Sequence, residues 1–213
     1  MRIFKILLGA LVALVAVVLG LGLVLPSDFR VVRSVEIEAP PEVVFGQVNS
    51  LKSWGPWSPW MAKDKTIKNE YSGPEAGKGA KVSWTSEASG EGTQEIIESK
   101  PFELIETKLD FGDQGTSKAD WKFEPTDKGV KVTWGLEGDL PAPLGGIIAT
   151  RMDAWVGADY EDGLARLKKH AEALPPPPKP EPAPEPEAPN AEGEPAAEGT
   201  EAPAPEDQQP AAQ

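Results

Sequence analysis

Tryptophan is the residue type in this chain with the most chemistry to offer. Seven occur among 213 residues, at Trp54, Trp57, Trp60, Trp84, Trp121, Trp134 and Trp155. An indole combines a large apolar area with a single N–H donor, which suits the wall of a site for a hydrophobic or ring-bearing guest. Three of them crowd into Trp54-Gly55-Pro56-Trp57-Ser58-Pro59-Trp60. The candidate ligand-binding set is Trp57, Trp60, Trp84, Trp134, Met152 and Trp155, with Met152 adding an adaptable apolar surface. Core packing is the competing reading for each, and Trp121, between Ala119 and Phe123, reads as core.

Other chemistry is sparse. The one histidine, His170, follows Lys168-Lys169 near the end of a helical stretch and reads as a solvated helix-end residue. One such histidine cannot build a nucleophilic triad or a multi-histidine metal site. No cysteine is present, which excludes disulfides, thiolate metal sites and thiol catalysis. No catalytic residue, metal or cofactor is therefore expected. Asp64, Glu95 and Asp120 fall on or beside strands, and Asp153 and Asp159 on the last helix. Solvated faces, turns and caps account for most such carboxylates, while a buried one could act as a general acid or base. Arg151 could meet an anionic head group or form a surface ion pair. The stretch from Gly73 to Gly79 lacks a Lys-Ser/Thr ending and reads as a turn, not a phosphate cradle.

Three composition regimes carry these residues. Residues 1–26 are almost wholly apolar, 27–174 look globular, and 175–213 are rich in Pro, Ala and Glu. Net charge is −13; the tail holds −8 of it, the first 25 residues +2, and the remainder −7. An acidic domain with an acidic tail is repelled by phosphates, which excludes nucleic acid as a partner. Ile6 to Leu25 is free of charge, and a helix of that length spans about 30 Å, the thickness of a hydrocarbon core. Leu23-Val24-Leu25-Pro26-Ser27 lacks the small-x-small pattern of a cleavage site, so the segment reads as a retained transmembrane anchor. Arg2 and Lys5 before it predict a cytoplasmic N-terminus and place the domain on the periplasmic side of an inner membrane. In the tail, Pro175-Pro176-Pro177-Pro178 stops any helix, and the Pro-Ala-Glu sequence that follows predicts a disordered, solvated segment.

Between anchor and tail, period-two alternation predicts seven strands, near 31–38, 66–71, 81–85, 92–99, 102–111, 116–124 and 130–136, mostly separated by Gly or Pro. A short helix is predicted to open at Pro41-Glu42, and the Trp-rich stretch reads as a loop or broken helix. From Leu144 to Leu174 the apolar spacing is helical, with a bend or late start expected near Gly145-Gly146. Consecutive short strands make an antiparallel meander, and only the last helix is long enough to cover its concave face. The predicted fold is α+β: a helix-grip fold, a curved antiparallel β-sheet wrapped around a long C-terminal α-helix, preceded by one N-terminal transmembrane helix.

Four stretches also carry a family resemblance: Trp57-Ser58-Pro59-Trp60 with Asp64; Tyr71-Ser72-Gly73-Pro74-Glu75 with Gly77 and Gly79; Val132-Thr133-Trp134; and Gly157-Ala158-Asp159-Tyr160-Glu161-Asp162-Gly163-Leu164 followed by Leu167-Lys168. Over about 31–174 the chain resembles the START-like SRPBCC superfamily, in its polyketide cyclase/dehydrase and lipid transport branch. The resemblance implies the helix-grip fold but not the chemistry, because that superfamily holds lipid carriers, ligand-binding proteins and cyclases alike.

The expected function is a membrane-anchored binding protein that holds a hydrophobic small molecule or lipid between sheet and C-terminal helix. Two other readings stand beside it. One is a cyclase- or hydrolase-type enzyme using a pocket carboxylate. The other is an envelope scaffold acting through its acidic tail.

Overall fold

A computed structural model of the protein describes residues 1–175, so the expectation for the tail lies outside the described residues. The elements run α1 (Arg2–Val24), β1 (Asp28–Ile37), α2 (Pro41–Asn49), a 3₁₀ turn (Leu51–Trp54), α3 (Pro59–Lys63), β2 (Lys68–Ser72), β3 (Lys81–Ser86), β4 (Gly90–Lys100), β5 (Leu104–Asp110), β6 (Thr116–Thr126), β7 (Gly129–Asp139) and α4 (Gly145–Glu172). The architecture is α+β, one seven-stranded antiparallel sheet with a long C-terminal helix.

Strand order is β1-β7-β6-β5-β4-β3-β2, a meander whose last strand receives the first strand of the domain. Alternation decides which side chains turn inward. Phe29, Val31, Val132, Trp134, Ala119, Trp121 and Ile105 share the inner face and are buried. Lys118, Asp120, Lys122 and Glu137, at the intervening positions, face outward. A register shift between Ile96 and Glu98 bends β4. The Trp-rich segment is a broken helix: Pro59 opens α3, and the Ser58 hydroxyl accepts from the Met61 amide to cap it.

α4 is continuous over 28 residues, starting at the glycine pair. It runs along β1 at the edge of the sheet and touches β7 only briefly. Arg33, inward on β1, donates to Asp153 at 2.9 Å and to Glu161 at 2.6 Å, and one of its nitrogens also reaches the Asp153 carbonyl. The two carboxylates hold the guanidinium charged, and its charge in turn holds Asp153 below the usual carboxylate range. Near the far end, Lys168 donates to the Glu36 carbonyl and to the Glu172 carboxylate, which also accepts from the Glu38 amide. Those hydrogen bonds, Lys168 first, depress the Glu172 pKa.

Gly157 makes the Arg33 contact possible. A Cβ there would lie 2.1 Å from a guanidinium nitrogen. Alanine is ordinarily favoured over glycine inside a helix by about 1 kcal/mol. Gly157→Ala is nonetheless expected to lower the thermal unfolding midpoint of the full-length protein in detergent, because the guanidinium must leave Asp153 and Glu161. A raised midpoint would show that the clamp contributes nothing.

The other end of α4 meets α1. Gly22 is the one buried residue of α1, and the rest of that helix stands clear of the domain. A methyl on Gly22 would sit 2.1 Å from the Pro143 carbonyl oxygen, and one on Gly146 would sit 2.4 Å from the Leu25 carbonyl oxygen. The two backbones therefore meet through a glycine seam at the first turn of α4.

Candidate functional site

The inner face of the sheet divides into two regions. Around β6 and β7 it is filled by rings. Trp121 and Trp134, directly opposed across the two strands, stack with centroids 4.0 Å apart. Tyr160 of α4 stacks on the other side of Trp134 at 3.6 Å. Trp54 and Trp57 meet this pair edge-on, and Trp60 stands edge-on to Trp134 at 5.6 Å. Burial pushes the Tyr160 hydroxyl pKa well above its ordinary value, so the ring stays neutral. The Trp54 indole donates to the Val48 carbonyl at 3.0 Å. The indole nitrogens of Trp57, Trp121 and Trp134 are buried and find no oxygen or nitrogen acceptor in the protein. Edge-on neighbours offer π faces instead, which recover only part of the lost hydration.

Toward β3 to β5 the inner face is built differently. Here the inward residues are Val82 and Trp84 of β3, Gln94 and Ile96 of β4, and Thr107 and Leu109 of β5. Trp84, Leu109, Trp60 and Met152 stay only half-buried, although they lie on or against the inner face. Trp84 packs edge-on against Phe111, 5.8 Å away. Thr107 is fully enclosed and Gln94 is 8% exposed, and the Gln94 amide donates to the Thr107 hydroxyl at 3.4 Å.

Of the six candidate residues, Trp57, Trp60 and Trp134 come together in the ring cluster. Met152 lies partly buried on the flank of α4, and Trp84 stands apart from the cluster on β3. Trp155 points away from the sheet and is 59% exposed, sharing no ring contact with the others. Sequence reasoning missed Tyr160 as the ring that closes the stack, and also the Gln94–Thr107 pair. The signal for the pair was available: Gln94 falls in phase with Ile96, an apolar position.

The carboxylates considered as general acids or bases turn away from this surface. Glu95 and Asp120 have outward parity, and Asp120 accepts from Arg30 at 2.6 Å. Asp64 sits in the turn after α3. It accepts from the hydroxyls of Ser86, Ser89 and Thr66 and from the Thr66 amide. Two surface recesses, of about 310 and 170 Å³, lie elsewhere, one around Arg30, Lys118 and Glu137 and the other around Tyr71, Gly73 and Lys81. Among the described residues no group of His, Cys, Asp or Glu is arranged to hold a metal ion.

The family described as "Polyketide cyclase / dehydrase and lipid transport" matches residues 28–172, which is nearly all of the sheet and α4. The chain belongs to this family. Solved structures of low sequence identity share the fold. A protein of Chromobacterium violaceum is 17% identical with a TM-score of 0.51, covering 68% of this chain and 98% of its own. A protein of Rhizobium leguminosarum is 15% identical with a TM-score of 0.52, covering 68% and 95%. The di-domain ARO/CYC StfQ from the steffimycin biosynthetic pathway is 13% identical with a TM-score of 0.51, covering 70% of this chain and 51% of its own. At such identities the likeness is one of fold. No curated protein sequence matches the chain. Family membership makes this a domain of a ligand-binding type.

Asp64 generates a prediction about stability. The Ser86, Ser89 and Thr66 hydroxyls and the Thr66 amide hold its carboxyl well below its ordinary 3.8. A carboxyl depressed in the folded state stabilises the fold above its unfolded pKa and loses that contribution as pH falls. The margin in unfolding midpoint between wild type and Asp64→Asn should be constant from about pH 5 to 8 and shrink below about pH 4. A margin that widens on acidification would contradict this reading.

Proposed function

We propose that this protein is a membrane-anchored binding protein for an apolar small molecule or lipid, held on the inner face of the sheet beside α4. The observation that carries the reading is the half-open region of that face. In a closed core Trp60, Trp84, Leu109 and Met152 would lose their solvent contact, yet each keeps some. Accessible aromatic and thioether surface inside a concave sheet is suited to an apolar guest. In this proposal Trp60, Trp84 and Met152 contact the ligand. Trp57 and Trp134 form the rigid wall behind them, and Trp155 lies outside the site.

The anchor reading has its own support. α1 is long and apolar enough to cross a bilayer, with a mean hydropathy of 2.9 over its most apolar window and almost none of that window buried. So much apolar surface is far more stable in lipid than in water. The glycine seam at Gly22 and Gly146 makes the end of α1 part of the domain's packing, which favours a retained helix over a removed leader. With Arg2 and Lys5 on the cytoplasmic side, the domain faces the periplasm of an inner membrane. The chain then divides into an anchor at 1–26, a binding domain at 27–174 and a Pro/Ala/Glu-rich tail at 175–213.

Sheet register connects the two ideas. Phe29, Gly138, Ser117, Leu109, Gln94 and Val82 form one row across six strands. Arg33, Trp134, Trp121 and Ile105 form another, four residues further along β1 and so about 13 Å farther from the anchor. Leu109 of the half-open region thus shares the row that begins at Phe29, beside α1, while Trp60 reaches across to Trp134 in the other row.

Native mass spectrometry of the full-length protein released from membranes tests this. The expected result is an intact mass that includes residues 1–25 and a bound apolar ligand, or a tryptophan fluorescence shift on adding one. Trp84→Ala and Met152→Ala should each weaken that binding about tenfold while far-UV circular dichroism stays native, a loss of about 1.4 kcal/mol. No bound species and no response to a panel of lipids and aromatic compounds would overturn the proposal.

A further inference from the structure

Gln94 and Thr107 are a polar pair in an apolar neighbourhood. Their inward neighbours on β3, β4 and β5 are Val82, Trp84, Ile96, Ile105 and Leu109. Among the described residues only three polar side chains are buried: Ser58, Gln94 and Thr107. Ser58 caps α3. Gln94 and Thr107 have each other, through one hydrogen bond of 3.4 Å, well beyond the usual 2.9–3.0 Å for an N–H···O contact.

That bond leaves much of their capacity unused. A carboxamide has two N–H donors and an acceptor oxygen, and a hydroxyl has one donor and two acceptor positions. With one Gln94 N–H given to Thr107, a second N–H, the Gln94 carbonyl oxygen and the Thr107 O–H remain. A valine and a leucine of similar size would place no polar group at either position. Gln94 stands directly opposite the half-buried Leu109, and the half-buried Trp84 follows its other partner, Val82, by two positions on β3.

We infer that Gln94 and Thr107 form the polar reading point of the site, and that its ligand is an amphiphile whose apolar body carries a hydroxyl group. A hydroxyl both donates and accepts, which complements the free donors of Gln94 and Thr107 together with the Gln94 carbonyl. A bare hydrocarbon leaves all three without partners, so the site discriminates against it as strongly as against a bulkier ligand. This inference rests on the binding function proposed above and specifies the ligand class for it.

The experiment pairs two probes of equal chain length, 1-decanol and decane, titrated against the full-length protein in amphipol and read by tryptophan fluorescence and native mass spectrometry. The expected result is decanol binding at least tenfold more tightly than decane. Gln94→Leu and Thr107→Val should each reduce that preference to threefold or less, leaving decane binding equal or stronger. Both replacements are apolar and close in size, so folding is retained, and far-UV circular dichroism with the thermal midpoint checks this. Equal binding of both probes by the wild type would overturn the inference while leaving the binding function standing. A preference undiminished in both variants would do the same. Failure of the wild type to bind either probe would overturn both.

Discussion

The stack of Trp121, Trp134 and Tyr160 sets the spacing on which the rest of the domain depends. Two of its rings belong to the sheet and the third to α4. With interplanar angles of 20° and 14° the three lie nearly parallel, so the helix is held at ring-contact distance from β7 at this level. Large aromatic faces pack with little tolerance for displacement, since a gap of even 1 Å forfeits much of the dispersion energy. Arg33 then fixes the helix laterally against β1 through Asp153 and Glu161. Exposed ion pairs alone contribute little, about 0–1 kcal/mol each, so the rings supply the attraction and the charges supply direction. Held this way over one edge of the sheet, α4 cannot also cover β3 to β5. The open part of the inner face follows from where the helix is pinned.

Much of this fold was legible because its code is periodicity. Val132-Thr133-Trp134 and Ala119-Asp120-Trp121 alternate strictly, and a strand with one buried face leaves no other arrangement. Pro40-Pro41-Glu42 and Gly145-Gly146 marked helix starts through local backbone chemistry, and α2 and α4 begin there. The length and apolarity of α1 are likewise local properties. What escaped were the relations between distant elements. That Trp134 meets Trp121 depends on the register of two strands, and that it meets Tyr160 depends on the rotation of α4. Neither is written in a short window.

The candidate site divides along the same line. Trp57, Trp60 and Trp134 were grouped by residue type, and tertiary packing does bring those three together. Trp155 shares the helix and the residue type, but at nine residues after Gly146 it lies on the opposite side of α4 from the buried Tyr160 and Leu164. Trp84 is separated from the cluster by the breadth of β4 and β5, a distance that residue type cannot encode. Asp64, singled out for its charge, is spent on three hydroxyls and an amide that tie α3 to the β3–β4 hairpin. Its depressed pKa has a structural cause, and the same analysis that finds perturbed carboxylates at catalytic centres finds them at such ties. Gln94 escaped for a different reason: a single polar residue at an apolar position is a weak signal until its burial is known.

The relation of α1 to the open region gives the arrangement its functional sense. α1 ends at Val24, β1 begins at Asp28, and the glycine seam at Gly22 and Gly146 brings the end of the helix into backbone contact with the start of α4. A flexible tether would let the domain tumble and present any surface to the bilayer. A seam of backbone contacts fixes instead which end of β1 lies beside α1: the end at Phe29, whose register row also carries Leu109 and Gln94. The filled half of the domain then serves as a rigid backstop: three stacked rings cannot be displaced without undoing the core. The filled and the half-open parts of the inner face are therefore consequences of one geometry, set by where α4 is pinned.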